Sequence, residues 1–193
     1  MKSICVYCGS SPGDNPIYLE NAKALGTRLA LEGITVVYGG ASVGLMGAVA
    51  DSCLDAGGKV IGVLPEVLLK RELEHKSLTE MYIVDSMHTR KAKMAELSDG
   101  FIALPGGFGT FEELCEVATW SQIGLHKKPI GALNVGGYYD PLEKLILTGI
   151  KEGFMTENYK DLIVFRNSVD ELMTALENYI PLPAPKWATA EEA

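Results

Sequence analysis

Short apolar runs rich in β-branched residues recur along the chain, at Ser3 to Cys8, Ile34 to Tyr38, Val60 to Leu64, Met81 to Val84, Phe101 to Leu104, Ile130 to Asn134 and Leu162 to Phe165. Between them lie longer stretches in which apolar residues return every three or four positions: Pro16 to Glu32, Val43 to Ala56, Met87 to Ser98, Thr110 to Gly124, Pro141 to Glu152 and Val169 to Tyr179. The short runs read as strands covered on both faces and the longer ones as amphipathic helices. Gly33, Gly57 and Gly153 stand just past three of the helices as stop signals. Regular alternation of the two predicts a single α/β domain, a three-layer, doubly wound, Rossmann-like fold on a mostly parallel sheet. The polar stretch Glu66 to Glu80 follows neither period and reads as an irregular flap. Beyond Pro181, Pro183 and Pro185 all periodicity stops, so the domain is expected over residues 1–180, with a Pro-rich, disordered tail over 181–193.

Composition narrows the functional classes. A chain of 193 residues, 47% hydrophobic and 22% charged, suffices for one sizeable core. The net charge of -8 lacks the basic face that a nucleic-acid duplex requires, whereas a small phosphorylated ligand needs only a few local donors. Met1-Lys2 runs directly into the first strand, and no apolar stretch approaches the ~20 residues of a membrane span, so a cytoplasmic protein is expected. Cys5-x-x-Cys8 matches a redox or metal spacing. It lies along a strand instead of at a helix start, and His75, His88 and His126 are scattered singly, so buried thiols are the expectation and no metal or cofactor is assigned.

In open α/β sheets ligands bind beyond the carboxyl ends of the strands, and the small residues of this chain collect there. Cys8-Gly9-Ser10-Ser11-Pro12-Gly13 follows the first strand, Gly39-Gly40-Ala41-Ser42-Val43-Gly44 the second, and Pro105-Gly106-Gly107-Phe108-Gly109-Thr110 the fifth. Any one of them is compatible with a plain βα turn. Three at one sheet edge suggest a shared pocket. The last, opening a helix after the apolar run Phe101 to Leu104, has the form of an anion cradle, with backbone amides and helix dipole turned to the ligand. G-x-G-x-x-G spacing after the first strand and the P-loop sequence are both missing, which argues against a conventional dinucleotide or NTPase site.

Two charged residues stand beside this cradle. Arg90 lies on the apolar stripe Met87, Met94, Leu97 of its helix, three after Met87 and four before Met94, so the spacing turns it inward; the alternative is a side chain snorkelling past the stripe. Glu113 also admits two readings. Thr110-x-x-Glu113 is a capping box, in which the glutamate returns to the cap amide, and the same carboxylate is placed to face a substrate bound on the turn. Lys91 and Lys93 point elsewhere on the Arg90 helix.

Pro105-Gly106-Gly107-x-Gly109-Thr110-x-x-Glu113 resembles the PGGxGTxxE signature of the LONELY GUY (LOG) family of cytokinin riboside 5'-monophosphate phosphoribohydrolases, once mislabelled lysine decarboxylases. The likeness runs over about residues 2–180 and includes Cys8-Gly9-Ser10-Ser11, Tyr38-Gly39-Gly40, Gly44-Leu45-Met46-Gly47, Ser86-Met87-His88-x-Arg90-Lys91-Ala92 and Thr119-Trp120; Ala41 replaces a glycine common in relatives. The resemblance implies hydrolysis of the N-glycosidic bond of adenosine 5'-monophosphates, often N6-prenylated, to free base and ribose 5-phosphate, without a cofactor and in a homodimer. It carries the catalytic pair onto Arg90 and Glu113. Gly106, Gly107, Phe108, Gly109 and Thr110 are implied to hold the phosphate, with Lys91 adding charge. Gly9, Ser10, Gly40, Ser42, Met87 and Thr119 complete the implied substrate-binding set, with Glu72, whose register against Glu74 stays open. Thr119 also fits a hydroxyl bonded to its own helix. A nucleotide-binding carrier without turnover is the alternative function. The decarboxylase label finds no lysine in a recognisable Schiff-base setting.

Overall fold

The computed structural model describes residues 1–69 and 74–183; Glu72 and the part of the expected tail at 184–193 lie outside them. Seven strands form one sheet: β1 (Ser3–Tyr7), β2 (Thr35–Tyr38), β3 (Val60–Pro65), β4 (Glu80–Val84), β5 (Gly100–Ala103), β6 (Ile130–Leu133) and β7 (Val164–Arg166). Their order is β4-β3-β2-β1-β5-β6-β7, and every pair is parallel. A lone antiparallel bridge joins Ala41 to Glu74.

Alternate residues of each central strand enter different cores. Ile4 and Val6 of β1 join a cluster with α1 (Pro16–Leu31), α2 (Gly44–Asp55) and α7 (Val169–Glu177). Cys5 and Tyr7 join one on the opposite face with α4 (Met87–Glu96), α5 (Phe108–Gln122) and, at its margin, α6 (Asp140–Lys151). Double-sided burial at a period of two explains why these strands are continuously apolar in sequence. Leu182 also packs against the second core, so ordered packing extends past the expected limit at residue 180.

The polar stretch from Glu66 is not wholly irregular: it opens with a short helix, α3 (Glu66–Leu69), and His75 then donates its amide to the Gly40 carbonyl at 2.9 Å. Among the described residues no helix is long and apolar enough to cross a membrane.

The crossover after β1 leads to β2, whereas that after β5 leads to β6 on the other side. The two connections therefore diverge at the β1–β5 boundary, opening a crevice at the carboxyl ends of the strands. Opposite this functional edge, α1 and α2 pack closely: a Cβ on Gly26 would collide with the Ser52 hydroxyl and the Val49 carbonyl. Gly26→Ala is expected to lower unfolding free energy by about 1–3 kcal/mol in urea titration, because backbone on the facing helix has to move.

Candidate active site

The crevice is assembled from four segments. Helix α4 starts where Ser86 caps it, its hydroxyl accepting from the Thr89 amide at 3.1 Å, while the Thr89 hydroxyl donates to Asp85 at 2.5 Å. That start rotates Arg90, Lys91, Met94 and Ala95 to the buried face. Arg90 is 7% exposed and does not snorkel. Its Nε donates to the Val63 carbonyl at 3.1 Å and its Nη1 to Glu113 Oε1 at 2.8 Å. Nη2 lies against Gly39, where any Cβ would strike it and the Met46 methyl, so the guanidinium occupies the space a side chain would need.

Helix α5 begins two residues earlier than the periodicity suggested. Gly107 is its N-cap, and Phe111 is the first amide to find a carbonyl behind it, that of Gly107 at 3.1 Å. The amides of Phe108, Gly109 and Thr110 thus lie ahead of the first helical bond, the arrangement that makes a helix start an anion site. Gly107 and Gly109 face open space where a Cβ would be, leaving room for a ligand against the backbone. Gly106 is pressed on Thr110 and the Gly9 amide instead. The loops are sewn together as Gly9 donates to the Pro105 carbonyl and Leu45 to the Gly9 carbonyl, both at 3.1 Å. Because Thr110 lies inside the first turn and Glu113 is bonded to Arg90, the capping box expected from Thr110-x-x-Glu113 does not form.

The resulting cleft has a volume of about 400 Å³. Its walls are Val6 to Ser10 after β1, Gly39 and Met46 after β2, Leu68 of α3, Arg90 and Met94 of α4, and Gly107 to Thr110 with Glu113 of α5. Glu113 is 8% exposed. Burial lifts its carboxyl above the usual 4.5, the Arg90 guanidinium pulling in the opposite direction without cancelling the rise. Burial likewise pushes up the Cys8 thiol, which stays protonated on the cleft wall.

The fold therefore brings Gly9, Ser10, Arg90, Gly107, Phe108, Gly109, Thr110 and Glu113 around one space. Gly106 faces a neighbouring recess with Tyr18 and Tyr138, whose hydroxyl donates to the Gly106 carbonyl. Lys91 is turned away from the cleft wall and is held by Glu112 and, at 3.0 Å, by Glu116. Met87 is exposed at the start of α4, Ser42 lies under Gly47, and Gly40 packs on Met81; none of these lines the cleft. The Thr119 hydroxyl donates to the Cys115 carbonyl of its own helix at 2.7 Å, and the residue borders a groove between α5 and α6.

The family profile described as "Possible lysine decarboxylase" matches residues 46–176. Among similar proteins, a probable cytokinin riboside 5'-monophosphate phosphoribohydrolase of Oryza sativa subsp. japonica is 50% identical over 193 residues, 97% of this chain and 86% of its own. The cytokinin riboside 5'-monophosphate phosphoribohydrolase LOG of the same species is 48% identical over 93% of this chain and 74% of its own, and one from Arabidopsis thaliana 48% identical over 93% and 84%. The chain belongs to the LONELY GUY family. More distant in sequence are two solved structures that share the fold. The Moco carrier protein from Chlamydomonas reinhardtii has a TM-score of 0.69 at 23% identity over 91% of this chain and 94% of its own. The molybdenum cofactor binding protein from Rippkaea orientalis has 0.69 at 22% over 92% and 96%.

Several wall residues of this LONELY GUY chain carried no chemical signal in the sequence: Val6, Tyr7, Leu68 and Met94. They are ordinary strand and helix residues whose side chains reach the cleft only through packing. Gly39 was legible as a small residue after a strand, but its reason, the approach of Arg90, is tertiary. Removing Arg90 leaves a buried carboxylate unpaired. Arg90→Ala is expected to cost about 3–5 kcal/mol at neutral pH. The sign follows from linkage: a carboxyl with a raised folded-state pKa destabilises the fold as pH rises through that value. The deficit of the variant should therefore shrink on acidification as Glu113 is protonated, which denaturant titrations at pH 7 and near pH 4.5 would reveal.

Proposed function

We propose that the chain is a phosphoribohydrolase that cleaves the N-glycosidic bond of adenosine 5'-monophosphates, N6-prenylated ones included, to free base and ribose 5-phosphate. The observation that carries this reading is the buried Arg90–Glu113 pair opening on the cleft just inside the glycine start of α5. The relatives' names give the activity, and the site supplies the parts it needs.

The phosphate is taken by the amides of Phe108, Gly109 and Thr110, with the helix dipole behind them. Thr110 to Glu113 is a rise of about 4.5 Å, on the scale of a ribose, so the anomeric carbon comes within reach of the carboxylate. As the C1'–N9 bond lengthens, positive charge builds on the sugar, and ionised Glu113 stabilises it while orienting a water molecule. The water oxygen bonds to C1' and one water proton passes to Glu113, while the C1'–N9 bonding pair leaves with the base, which takes a proton from solvent; Glu113 then returns its proton to solvent. Arg90 keeps Glu113 ionised and fixed, its own position set by the Val63 carbonyl and Gly39. No lysine lines the cleft among the described residues, so the decarboxylase description has no Schiff-base donor to draw on there.

Incubation with AMP and with N6-isopentenyl-AMP should release base and ribose 5-phosphate; tight binding without release would establish a carrier instead. Glu113→Gln is expected to lower kcat by about 10²–10⁴ with little change in melting temperature, since the amide oxygen still accepts from Arg90. Because the active form is ionised and burial lifts this carboxyl above 4.5, kcat/KM should begin to fall on acidification at a higher pH than an ordinary glutamate would give.

A homodimer belongs to the same reading. Helix α6 buries no residue within one chain, and its Leu142, Leu145 and Ile146 flank an apolar groove with Ala118 of α5 and Met155. Leu145 alone is 65% exposed. A second copy is the cover that supplies an equivalent apolar face by symmetry. Sedimentation should give twice the chain mass, falling to one chain in Leu145→Glu.

A further inference from the structure

Helices α4 and α5 are tied by two sets of ion pairs side by side. Arg90 takes Glu113 at the cleft, and its neighbour Lys91 takes Glu112 and Glu116. Lys91 is as buried as Arg90, at 7% exposure, yet lines no part of the cleft, and its ammonium spends two of its three donors on α5 carboxylates. Helix α5 in turn carries Glu112, Glu113 and Glu116 within five residues, just after the amides of its start. Left unneutralised, that cluster would repel an incoming phosphate and oppose the ionisation of Glu113.

We propose that Lys91 is a positioning residue and not a phosphate ligand: by bridging Glu112 and Glu116 it docks α4 on α5 so that Arg90 meets Glu113, and it offsets part of the carboxylate charge beside that pair. This rests on the phosphoribohydrolase reading. The groups that face Glu113 are Arg90 and Lys91 from α4, Glu112 on its own helix, and Cys5, Tyr7 and Cys8 from β1 and the residue after it. Burial pushes the two thiols and the phenol well up, so they are neutral at working pH. Besides Arg90, the charges acting on Glu113 are those of Lys91, which favours its ionised form, and Glu112, which opposes it. Burial works against the Lys91 charge, and Glu112 and Glu116 outweigh it, lifting the amine above the ordinary lysine range.

The test compares the parent, Lys91→Met, and the triple variant Lys91→Met, Glu112→Gln, Glu116→Gln on AMP and N6-isopentenyl-AMP across pH. Lys91→Met should lower kcat about tenfold or more, change KM less than about threefold, and move the acid limb of kcat/KM to higher pH. The triple variant, which leaves no charge unpaired at this contact, should regain most of the lost kcat, a rescue that a phosphate-binding lysine could not show. A tenfold rise in KM at unchanged kcat, a triple variant no better than Lys91→Met, or a Lys91→Met indistinguishable from the parent would each overturn the proposal. If Lys91→Met does not fold, the triple variant decides alone: it should turn over with a near-parental KM, and a tenfold higher KM sinks the idea. Should the parent release no base, the functional reading falls by itself. The Glu113 carboxyl, followed by carbon-13 NMR, then still tests the charge role: its midpoint should be higher in Lys91→Met, and an unmoved midpoint refutes it.

Discussion

The contact between the Arg90 guanidinium and the Glu113 carboxylate is the polar interaction on which the arrangement of the cleft depends. Two opposite charges at 7% and 8% exposure lose most of their hydration, and they persist only if geometry and further hydrogen bonds replace it. The surroundings meet that demand. The Val63 carbonyl of β3 accepts from Nε, Gly39 after β2 vacates the space for Nη2, and Ser86 fixes where α4 begins and hence which way residue 90 points. Two strands and two helices are thus held to one arrangement by a single buried pair, next to the crevice at the carboxyl ends of β1 and β5.

The same pair settles how an acid and an anion site share the first turns of a helix. The amides of Phe108 to Thr110 lie ahead of the first helical bond, where Gly107 and Gly109 leave open space, while Glu113 is bonded to Arg90. Lys91 does likewise for Glu112 and Glu116. Two cations from α4 thereby pair with three carboxylates on α5 and offset most of their charge, and of the two only Arg90 lines the cleft. Lateral pairing of these acidic groups lessens the repulsion that an acidic helix start would otherwise set against an anion.

Legibility in the sequence followed the range of the forces. The strands were readable because Ile4 and Val6 face one core and Cys5 and Tyr7 the other, so each run had to be apolar throughout. Arg90 was readable as inward because its spacing from Met87 and Met94 is a property of the helix alone. Thr110-x-x-Glu113 left the capping box open as one of two readings, since that box is a local pattern. It lost to Gly107 as N-cap and to a guanidinium 23 positions away in the chain, which offers a buried carboxylate more than a backbone amide does. The partners of Lys91 were not legible for a similar reason: both carboxylates are more than twenty residues distant.

By itself the sequence determined the parallel α/β architecture, the glycine turn opening α5, the inward course of Arg90 and the family, since each rests on periodicity or on contiguous residues. Tertiary structure alone decided that Gly39 makes way for Arg90, that Met46 and Leu68 wall the cleft, and that Lys91 belongs to Glu112 and Glu116. Those outcomes depend on which separate segments the sheet order brings together, and burial then makes the nearest opposite charge the partner that wins.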